Sequence, residues 1–288
     1  MTYRIRHRTV YRYTHPASLS YNELCLRLRP VGHQSVLEES SVLDPEPESR
    51  RERVDFFGNR WLSVHWEKPL TRLSLEFVHK VEVADPFPWG LPASPTVVEV
   101  REAAGQALRD SAKTPFGFAS SFVHRSPLFE SYGRELFHDQ TPFLNAVMTL
   151  TLKIRDEFEY SPAATTVSTP VEEVAATRRG VCQDFAHFAL SVLCSLGFAC
   201  RYVSGYLNTM PPPGHAKIRG ADASHAWISV ACPGVGWVDF DPTNGLLVRD
   251  GHICLAWGRD YGDVAPLKGV VLGGGGQKLS VEVDVDPC

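Results

Sequence analysis

The chain has 288 residues, of which 43% are hydrophobic and 22% charged, and its formal net charge is −4. This is ordinary globular composition in a chain long enough for two domains. The small negative charge and the lack of a Lys/Arg-rich block argue against a nucleic-acid-binding protein.

The seven cysteines bear on the compartment, because they are an odd number without paired spacing. That pattern argues against a disulfide framework and for a reducing environment. Residues 1–8 lack an apolar secretion core, and no apolar run in the sequence reaches membrane length. We therefore expect a cytoplasmic protein whose partners include neither a membrane nor a nucleic acid.

Residues 1–84 are predicted to form an antiparallel β domain, either a sandwich or a barrel. Residues 3–13 alternate between apolar or aromatic and basic side chains, as in a strand with a solvated basic face. A hairpin turn over 55–60 and a strand over 73–83 follow. The run Asp85–Pro92 then reads as a linker, because prolines at that density forbid both helix and central strand.

The second half of the chain mixes helical and strand-like patterns, so the expected class is α+β. We expect residues 85–140 to hold the linker and a helical or irregular segment, and residues 141–288 to form the second domain. Thr141-Pro142 is predicted to cap a helix that runs to about Phe158. Short strands within 252–285 are expected to complete the core of this domain.

Cys182 follows a glycine turn and opens an apolar helix. Thr169 to Glu172 reads as a capping box with proline at the first helical position, so a short helix is predicted to break at Gly180. A thiol at the next helix start meets unpaired N–H groups and the positive end of the helix dipole, which favour thiolate. On this feature alone, Cys182 also fits a buried small hydrophobe.

Two histidines are candidates for the base that would serve this thiol. His187 lies five residues further along the same predicted helix, which rotates it by about 140° from Cys182. His225 lies in a run that alternates like a strand, with Trp227 on the same face. His225 is therefore the preferred base.

The orienting acid is sought on the strand that follows His225. A turn over 232–236 predicts an antiparallel hairpin, and a hairpin of that length brings Asp241 back beside His225. Asp241-Pro242 also fits a turn at a strand end. Asp239 faces the same side by period two and competes with Asp241 for the role.

These motifs resemble the bacterial branch of the transglutaminase-like superfamily, which carries an extra β domain at its N-terminus. Six stretches carry the resemblance: Tyr160–Thr165, Thr169–Val174, Arg178–His187, Ala199–Leu207, Asp222–Trp227 and Phe240–Gly245. The match is strong over residues 140–247 and extends to the first eighty or so residues. Ala163 departs from the pattern, because glycine would be expected there.

The resemblance implies a papain-like or transglutaminase-like core, with helices packed on an antiparallel sheet. It implies Cys182 as nucleophile, His225 as base and Asp241 as the orienting acid. The implied function is a thiol-dependent amide-bond enzyme that acts on a peptide or protein amide and needs no cofactor.

The tetrahedral intermediate of such a reaction needs hydrogen-bond donors for its oxyanion. The backbone N–H of Cys182 is the obvious first donor. Tyr160 and Gln183 are the candidates for the second. Each also has an ordinary explanation, since a tyrosine at a helix end usually packs and a glutamine in a first turn is usually solvated.

Three rival functions remain open. A metal hydrolase could recruit His187, His215, Asp222 and His225, although the sequence has no His-Glu-x-x-His motif and no paired cysteine ligands. A non-catalytic binding module on a decayed enzyme fold is the second rival. The third is acyl transfer to amines; the sequence lacks an aspartate-rich calcium loop that would control such a transglutaminase, which favours a cysteine peptidase or amidase.

Overall fold

The computed structural model of the chain describes residues 1–109, 115–209 and 224–288. It has two antiparallel sheets with helices packed on one of them, which confirms the predicted α+β class. The strands are β1 Thr2–Arg27, β2 Gln34–Asp44, β3 Ser49–Val54, β4 Arg60–Trp66, β5 Leu70–Val83, β6 Glu159–Tyr160, β7 Arg179–Gly180, β8 Cys200–Leu207, β9 Ser224–Cys232, β10 Gly236–Asp241, β11 Leu246–Leu247, β12 His252–Gly258, β13 Leu267–Gly273 and β14 Gln277–Pro287.

The helices lie between the two sheets in the sequence, apart from a short one near the C-terminus. They are α1 Val97–Arg109, α2 Pro127–Arg134, α3 Phe143–Glu157, α4 Val171–Thr177, α5 Cys182–Ser195 and α6 Tyr261–Val264, with a 3-10 turn at Pro115–Gly117. In the part of the chain that the structure describes, no helix is both long and apolar enough to cross a membrane.

The N-terminal sheet is built around the long strand β1 and has the order β2-β5-β1-β4-β3. β1 pairs first with β5 and then with β4, and the register breaks between Arg12 and Ala17. This break lets β1 bend and pair with a different strand along each of its two halves, so the sheet curls into a half-barrel. The predicted sandwich or barrel is thus an antiparallel sheet that is curled but not closed.

The last two strands do not complete the second domain as predicted. β13 and β14 return to the N-terminal sheet, where they pair with β1 along residues 17–24 and 3–13. Alternation of side chains identifies a strand but does not identify its partner. The expectation that strands within 252–285 finish the second core holds only for β12, which pairs with β8.

The second sheet has the order β11-β10-β9-β8-β12 and packs one face on helix α5. Ile228, Val230 and Phe240 lie on that face and are fully buried. Helix α5 is buried from Asp184 to Cys194, which explains its nearly continuous apolar sequence. The opposite face carries the histidine and the aspartate of the candidate site beside a second buried apolar cluster.

Two predicted helix caps are wrong. Helix α4 begins at Val171 without a side-chain cap, and Glu172 accepts a hydrogen bond from Nδ1 of His124 at 2.6 Å instead of completing a capping box. Helix α3 begins at Phe143, where Ser94, not Thr141, supplies a side-chain oxygen to the N–H of Leu144 at 3.0 Å. At α3, a residue from outside the helix thus supplies the oxygen that the local motif was expected to supply.

Candidate active site

Cys182 is the first residue of helix α5, and the side chain of Asp184 fixes this helix start. Oδ2 of Asp184 accepts hydrogen bonds from the N–H of Val181 at 2.8 Å and from Oγ1 of Thr165 at 2.6 Å. Gly180 is needed beside it, because a Cβ there would lie 2.6 Å from the same oxygen. The N-terminus of α5 is therefore held in place just where the thiol emerges.

His225 and Asp241 lie together on the face of the second sheet opposite α5. Phe240 pairs with Ile228, so Asp241 lies one step further along β10 and diagonally across from His225 on β9. Nε2 of His225 donates to Oδ2 of Asp241 at 2.8 Å. This leaves Nδ1 as the ring nitrogen available to Cys182, which lies close enough to raise the pKa of His225.

The pKa of His225 reflects these contacts. Burial disfavours the protonated ring, but the hydrogen bond to Asp241, the proximity of Cys182 and the negative charge of Asp241 outweigh burial and raise the pKa of His225 to about 10. For Asp241, burial raises the pKa, but hydrogen bonds from His225 and His252 outweigh burial and hold the pKa well below its usual range. The imidazole is thus charged at neutral pH and its partner is a carboxylate.

Asp241 is fully buried and receives five hydrogen bonds from described residues. Oδ1 accepts from the N–H groups of Thr243 and Asn244, and Oδ2 accepts from the side chain of Asn244 at 2.7 Å as well as from two histidines. A carboxylate held by this many donors has one orientation. Asp241 therefore both begins the turn expected from Asp241-Pro242 and lies where the orienting acid was expected.

Asp239, the competing acid, is engaged elsewhere. Its Oδ2 accepts a hydrogen bond from Nε1 of Trp227 at 3.0 Å. Trp227 in turn lies beside His225, with ring centroids 6.2 Å apart. Asp239 therefore holds the neighbour of the imidazole, while Asp241 holds the imidazole itself.

His252 is a functional candidate that the sequence did not reveal. It lies on β12, is 4% exposed, and donates from Nε2 to Oδ2 of Asp241 at 3.0 Å. Its ring also packs edge-on against Trp227. No motif marks it, because β12 joins the sheet through β8 and comes near β10 only in the folded chain.

The second histidine of the sequence argument, His187, lies away from this cluster. Its Nε2 accepts a hydrogen bond from the N–H of Tyr261 at 3.1 Å, and its ring stacks on Phe122. Burial and the charge of His124 lower the pKa of His187 to about 3. It is a neutral core histidine.

The two candidate oxyanion donors lie near Cys182 in different settings. Tyr160 is on the short strand β6, not at a helix end, and is 54% exposed. Burial of part of its ring raises its pKa, and so does the charge of Cys182. Gln183 uses its amide to donate to the carbonyl of Val167 at 3.3 Å.

One group of described residues has the donors of a metal site. His225, Asp241 and His252 place their ligand atoms within 4.8 Å of one another. Two imidazoles and a carboxylate would suit Zn²⁺, but both imidazoles already donate to the carboxylate, so a hydrogen-bonded network accounts for the geometry. His215 and Asp222, proposed above as alternative metal ligands, lie outside the described residues.

Two family models match the sequence. Residues 3–82 match the bacterial transglutaminase-like N-terminal region, and residues 130–242 match the transglutaminase-like superfamily. The second match includes all three residues of the candidate triad.

Two mycobacterial proteins are similar to this chain over nearly its whole length. An uncharacterised protein of Mycobacterium tuberculosis (strain H37Rv) is 36% identical over 99% of this chain and 92% of its own length. An uncharacterised protein of Mycobacterium leprae is 33% identical over 98% of this chain and 97% of its own. A protein-glutamine gamma-glutamyltransferase of Pseudomonas aeruginosa is 28% identical over 48% of this chain and 22% of its own.

A solved structure shares the fold. A candidate cysteine protease from Cytophaga hutchinsonii superposes with a TM-score of 0.75, covering 99% of this chain and 90% of that chain at 21% identity. The similarity therefore extends through both sheets.

Proposed function

Because the chain belongs to the transglutaminase-like superfamily, with the bacterial transglutaminase-like N-terminal region as its first part, we propose that it is a thiol-dependent amide-bond enzyme. Cys182 is the nucleophile, His225 the general acid and base, and Asp241 the orienting acid. The observation that carries this proposal is the 2.8 Å hydrogen bond from Nε2 of His225 to Oδ2 of Asp241, on a ring whose pKa the neighbouring Cys182 also raises.

The first step is acylation of the thiol. The sulfur of Cys182 attacks the amide carbon, and the C–N bond breaks as Nδ1 of His225 gives its proton to the departing amine. Asp241 keeps the proton on Nε2 and stabilises the charged ring. The products of this step are a thioester on Cys182 and a free amine.

The second step releases the acyl group. Nδ1 of His225, now without its proton, takes one from the incoming nucleophile as that nucleophile attacks the thioester. Water gives the free acid, and a primary amine gives a new amide. In both cases the proton returns the Cys182 and His225 pair to its starting state.

The oxyanion of both steps needs donors near the start of α5. The N–H of Cys182 is the first, because the first turn of a helix leaves its N–H groups without intrahelical partners. For the second donor, the geometry favours the exposed hydroxyl of Tyr160 over Gln183, whose amide is bound to Val167.

Hydrolysis is the reaction that we favour, so that the protein is a cysteine peptidase or amidase acting on a peptide or protein amide. Acyl transfer to amines is the second candidate, and the partial similarity to the Pseudomonas aeruginosa protein-glutamine gamma-glutamyltransferase favours it. Incubating the protein with glutamine-containing peptides, with and without the amine putrescine, separates the two. Free acid or cleaved peptide supports hydrolysis, and products dominated by putrescine adducts overturn it.

A cytoplasmic location is part of the same proposal. All seven cysteines are free thiols in the structure, and five of them are buried. This arrangement suits a reducing compartment. Fractionation of cells that produce the tagged native protein would test it.

Two variants test whether the chemistry depends on Cys182. We expect Cys182→Ala to abolish turnover of the peptide substrates and to leave the circular dichroism spectrum unchanged. Cys194→Ala is the matched control on the same helix, because Cys194 is a 1% exposed core residue whose Sγ is hydrogen-bonded to the carbonyl of Gly117 at 3.7 Å. Equal loss of activity in both variants, or full activity of Cys182→Ala, would reject Cys182 as the nucleophile. No turnover of any peptide by the native protein would favour a non-catalytic binding module.

A further inference from the structure

A cavity lies on the sheet face that carries His225 and Asp241, at the contact between the two sheets. Its volume is about 210 Å³, and three parts of the chain line it. Residues 31–33 come from the N-terminal region, Pro86 and Phe87 from the linker, and the remainder from strands β8, β10 and β12 with the residues between them. None of the three triad residues lines this cavity.

Arg201 is the unusual member of the lining. It is 7% exposed, its Nε is buried without a hydrogen-bond partner, and no hydrogen bond or ion pair joins it to another described residue. A buried guanidinium with five N–H donors is costly unless those donors are satisfied. The protein thus holds a desolvated cation at the wall of a cavity.

Two tryptophans fix the plane of this guanidinium. Its Cζ lies 3.6 Å from the ring centroid of Trp257 and 4.1 Å from that of Trp237. The opposite face of Trp257 is taken by Arg29, whose Cζ lies 3.2 Å from the same centroid, since two cations at these distances cannot share one face. Arg29 is itself hydrogen-bonded to Phe57 and Asn59, so Arg201 is the one of the two without a partner.

Because the two tryptophans stack on the faces of the guanidinium, the N–H donors of Arg201, which lie in its plane, stay available to a ligand. A planar fork of N–H groups matches the two oxygens of a carboxylate or the oxygens of a phosphate. Burial lowers the pKa of Arg201 to about 10, while the charges of Asp239 and Cys254 oppose that effect. The group is therefore still charged at neutral pH.

The remaining lining distinguishes between these anions. Val31, Phe87 and Val248 give the cavity apolar walls, and Asp239 places a negative charge on it. One free guanidinium beside an acid suits a singly charged anion with an apolar body better than a dianionic phosphate.

We propose that this cavity is a binding site for a small carboxylate with an apolar body, in which Arg201 holds the carboxylate in the plane between Trp237 and Trp257. The apolar body contacts Phe87 and Val248. The same carboxylate chemistry is found in free short-chain or aromatic acids and at the C-terminus of a peptide. The site is separate from the chemistry at Cys182, so its test does not depend on turnover.

Isothermal titration calorimetry on the full chain tests this site. The probes are isobutyrate, 4-methylpentanoate and 3-phenylpropanoate, each against its neutral amide, together with inorganic phosphate. A tetrapeptide ending in leucine, as acid and as amide, distinguishes a peptide C-terminus from a free acid. We expect at least one acid to bind, and its amide to bind at least about tenfold more weakly, because a charge-assisted hydrogen bond is lost.

Two variants locate the binding. Arg201→Met is expected to abolish binding of the acid, and Arg134→Met, which removes an exposed arginine on α2, is expected to leave it unchanged. If Arg201→Met does not fold, the comparison of acid with amide on the native chain still decides. Equal affinity for acid and amide, tighter binding of phosphate than of every acid, no acid binding at millimolar concentrations, or unchanged binding by folded Arg201→Met would overturn the proposal.

Discussion

The imidazole of His252 donates a hydrogen bond from Nε2 to Oδ2 of Asp241 across 3.0 Å. The same oxygen accepts the hydrogen bond of His225 at 2.8 Å, so one carboxylate oxygen joins two histidines from different strands. Among the described residues, His252 forms no hydrogen bond with Cys182. Its contribution in this arrangement is to hold the acid that holds the base.

His252 is therefore expected to be a positioning residue. His252→Phe removes one donor from a buried carboxylate, and we expect kcat to fall about tenfold at unchanged KM, the effect of one lost hydrogen bond in the transition state. His252→Gln, which can place an amide N–H near the position of Nε2, is expected to recover most of the rate. A native rate in His252→Phe together with a loss in His252→Gln would mean that the ring serves only for packing.

Asp241→Asn is expected to reduce kcat by about four orders of magnitude, because an amide partner favours the wrong imidazole tautomer. Asp239→Asn is the matched control on the same strand face. It weakens the hydrogen bond from Trp227 and leaves the contact between His225 and Asp241 in place, so its rate is expected to stay within about tenfold of the native rate. A reversed order of the two effects, measured under saturating substrate, would assign the orienting role to Asp239.

The pH dependence follows from the pKa of His225. Because that pKa is raised from 6.5 to about 10, the ring is protonated through neutral pH and loses its proton as pH rises through about 10. We expect kcat/KM to fall along an alkaline limb near pH 10, since the imidazolium is the acid that protonates the departing amine. NMR of protein labelled with ¹⁵N-histidine measures the same titration without substrate.

Asp241→Asn provides the check on the cause of this limb. Removing the carboxylate removes the main contact that raises the pKa of His225, so the titration is expected to move to lower pH. A His225 titration near pH 6.5 in the native protein, or one that Asp241→Asn leaves in place, would contradict the assigned electrostatics.

Gly205 tests the packing that supports the site. It lies opposite His225 on the neighbouring strand β8, and a Cβ there would lie 2.4 Å from the ring of Trp227 and 2.2 Å from the carbonyl oxygen of Ile253. Because one of these contacts is backbone, a rotamer change cannot relieve it. We expect Gly205→Ala to lower the free energy of unfolding by about 1–3 kcal/mol and to reduce kcat.

Gly251→Ala is the control for that substitution, since a Cβ at Gly251 meets nothing within 4 Å. Urea unfolding followed by tryptophan fluorescence measures both variants. Equal stability of Gly205→Ala and the native chain would show that Trp227 is not packed as described.

The sequence predicts those parts of the site that depend on local geometry. His225 and Asp241 belong to one hairpin, and its turn and alternation of side chains are enough to place both on one face. Gly180 and the apolar run after it likewise indicate that Cys182 opens a helix. Each of these relationships lies within one short segment, so the sequence of that segment is enough to predict it.

The remaining features depend on strand pairing between distant segments. His252 reaches Asp241 only because β12 pairs with β8, and β13 and β14 return to β1 across more than 240 residues of sequence. Arg201 acquires its two tryptophans in the same way, since Trp237 and Trp257 come from different strands. Alternation predicts that such strands exist, but the partner of each is decided by the packing of the whole sheet.

The reactivity of Cys182 toward iodoacetamide at pH 6, followed by peptide mass spectrometry, tests the central claim most directly. Cys288 is the internal reference, because it is an exposed free thiol, whereas five of the other cysteines are buried. If Cys182 is paired with a protonated His225, it should be alkylated at least about tenfold faster than Cys288, and His225→Gln should remove that preference. Alkylation of Cys182 no faster than Cys288 in the native protein would contradict the account.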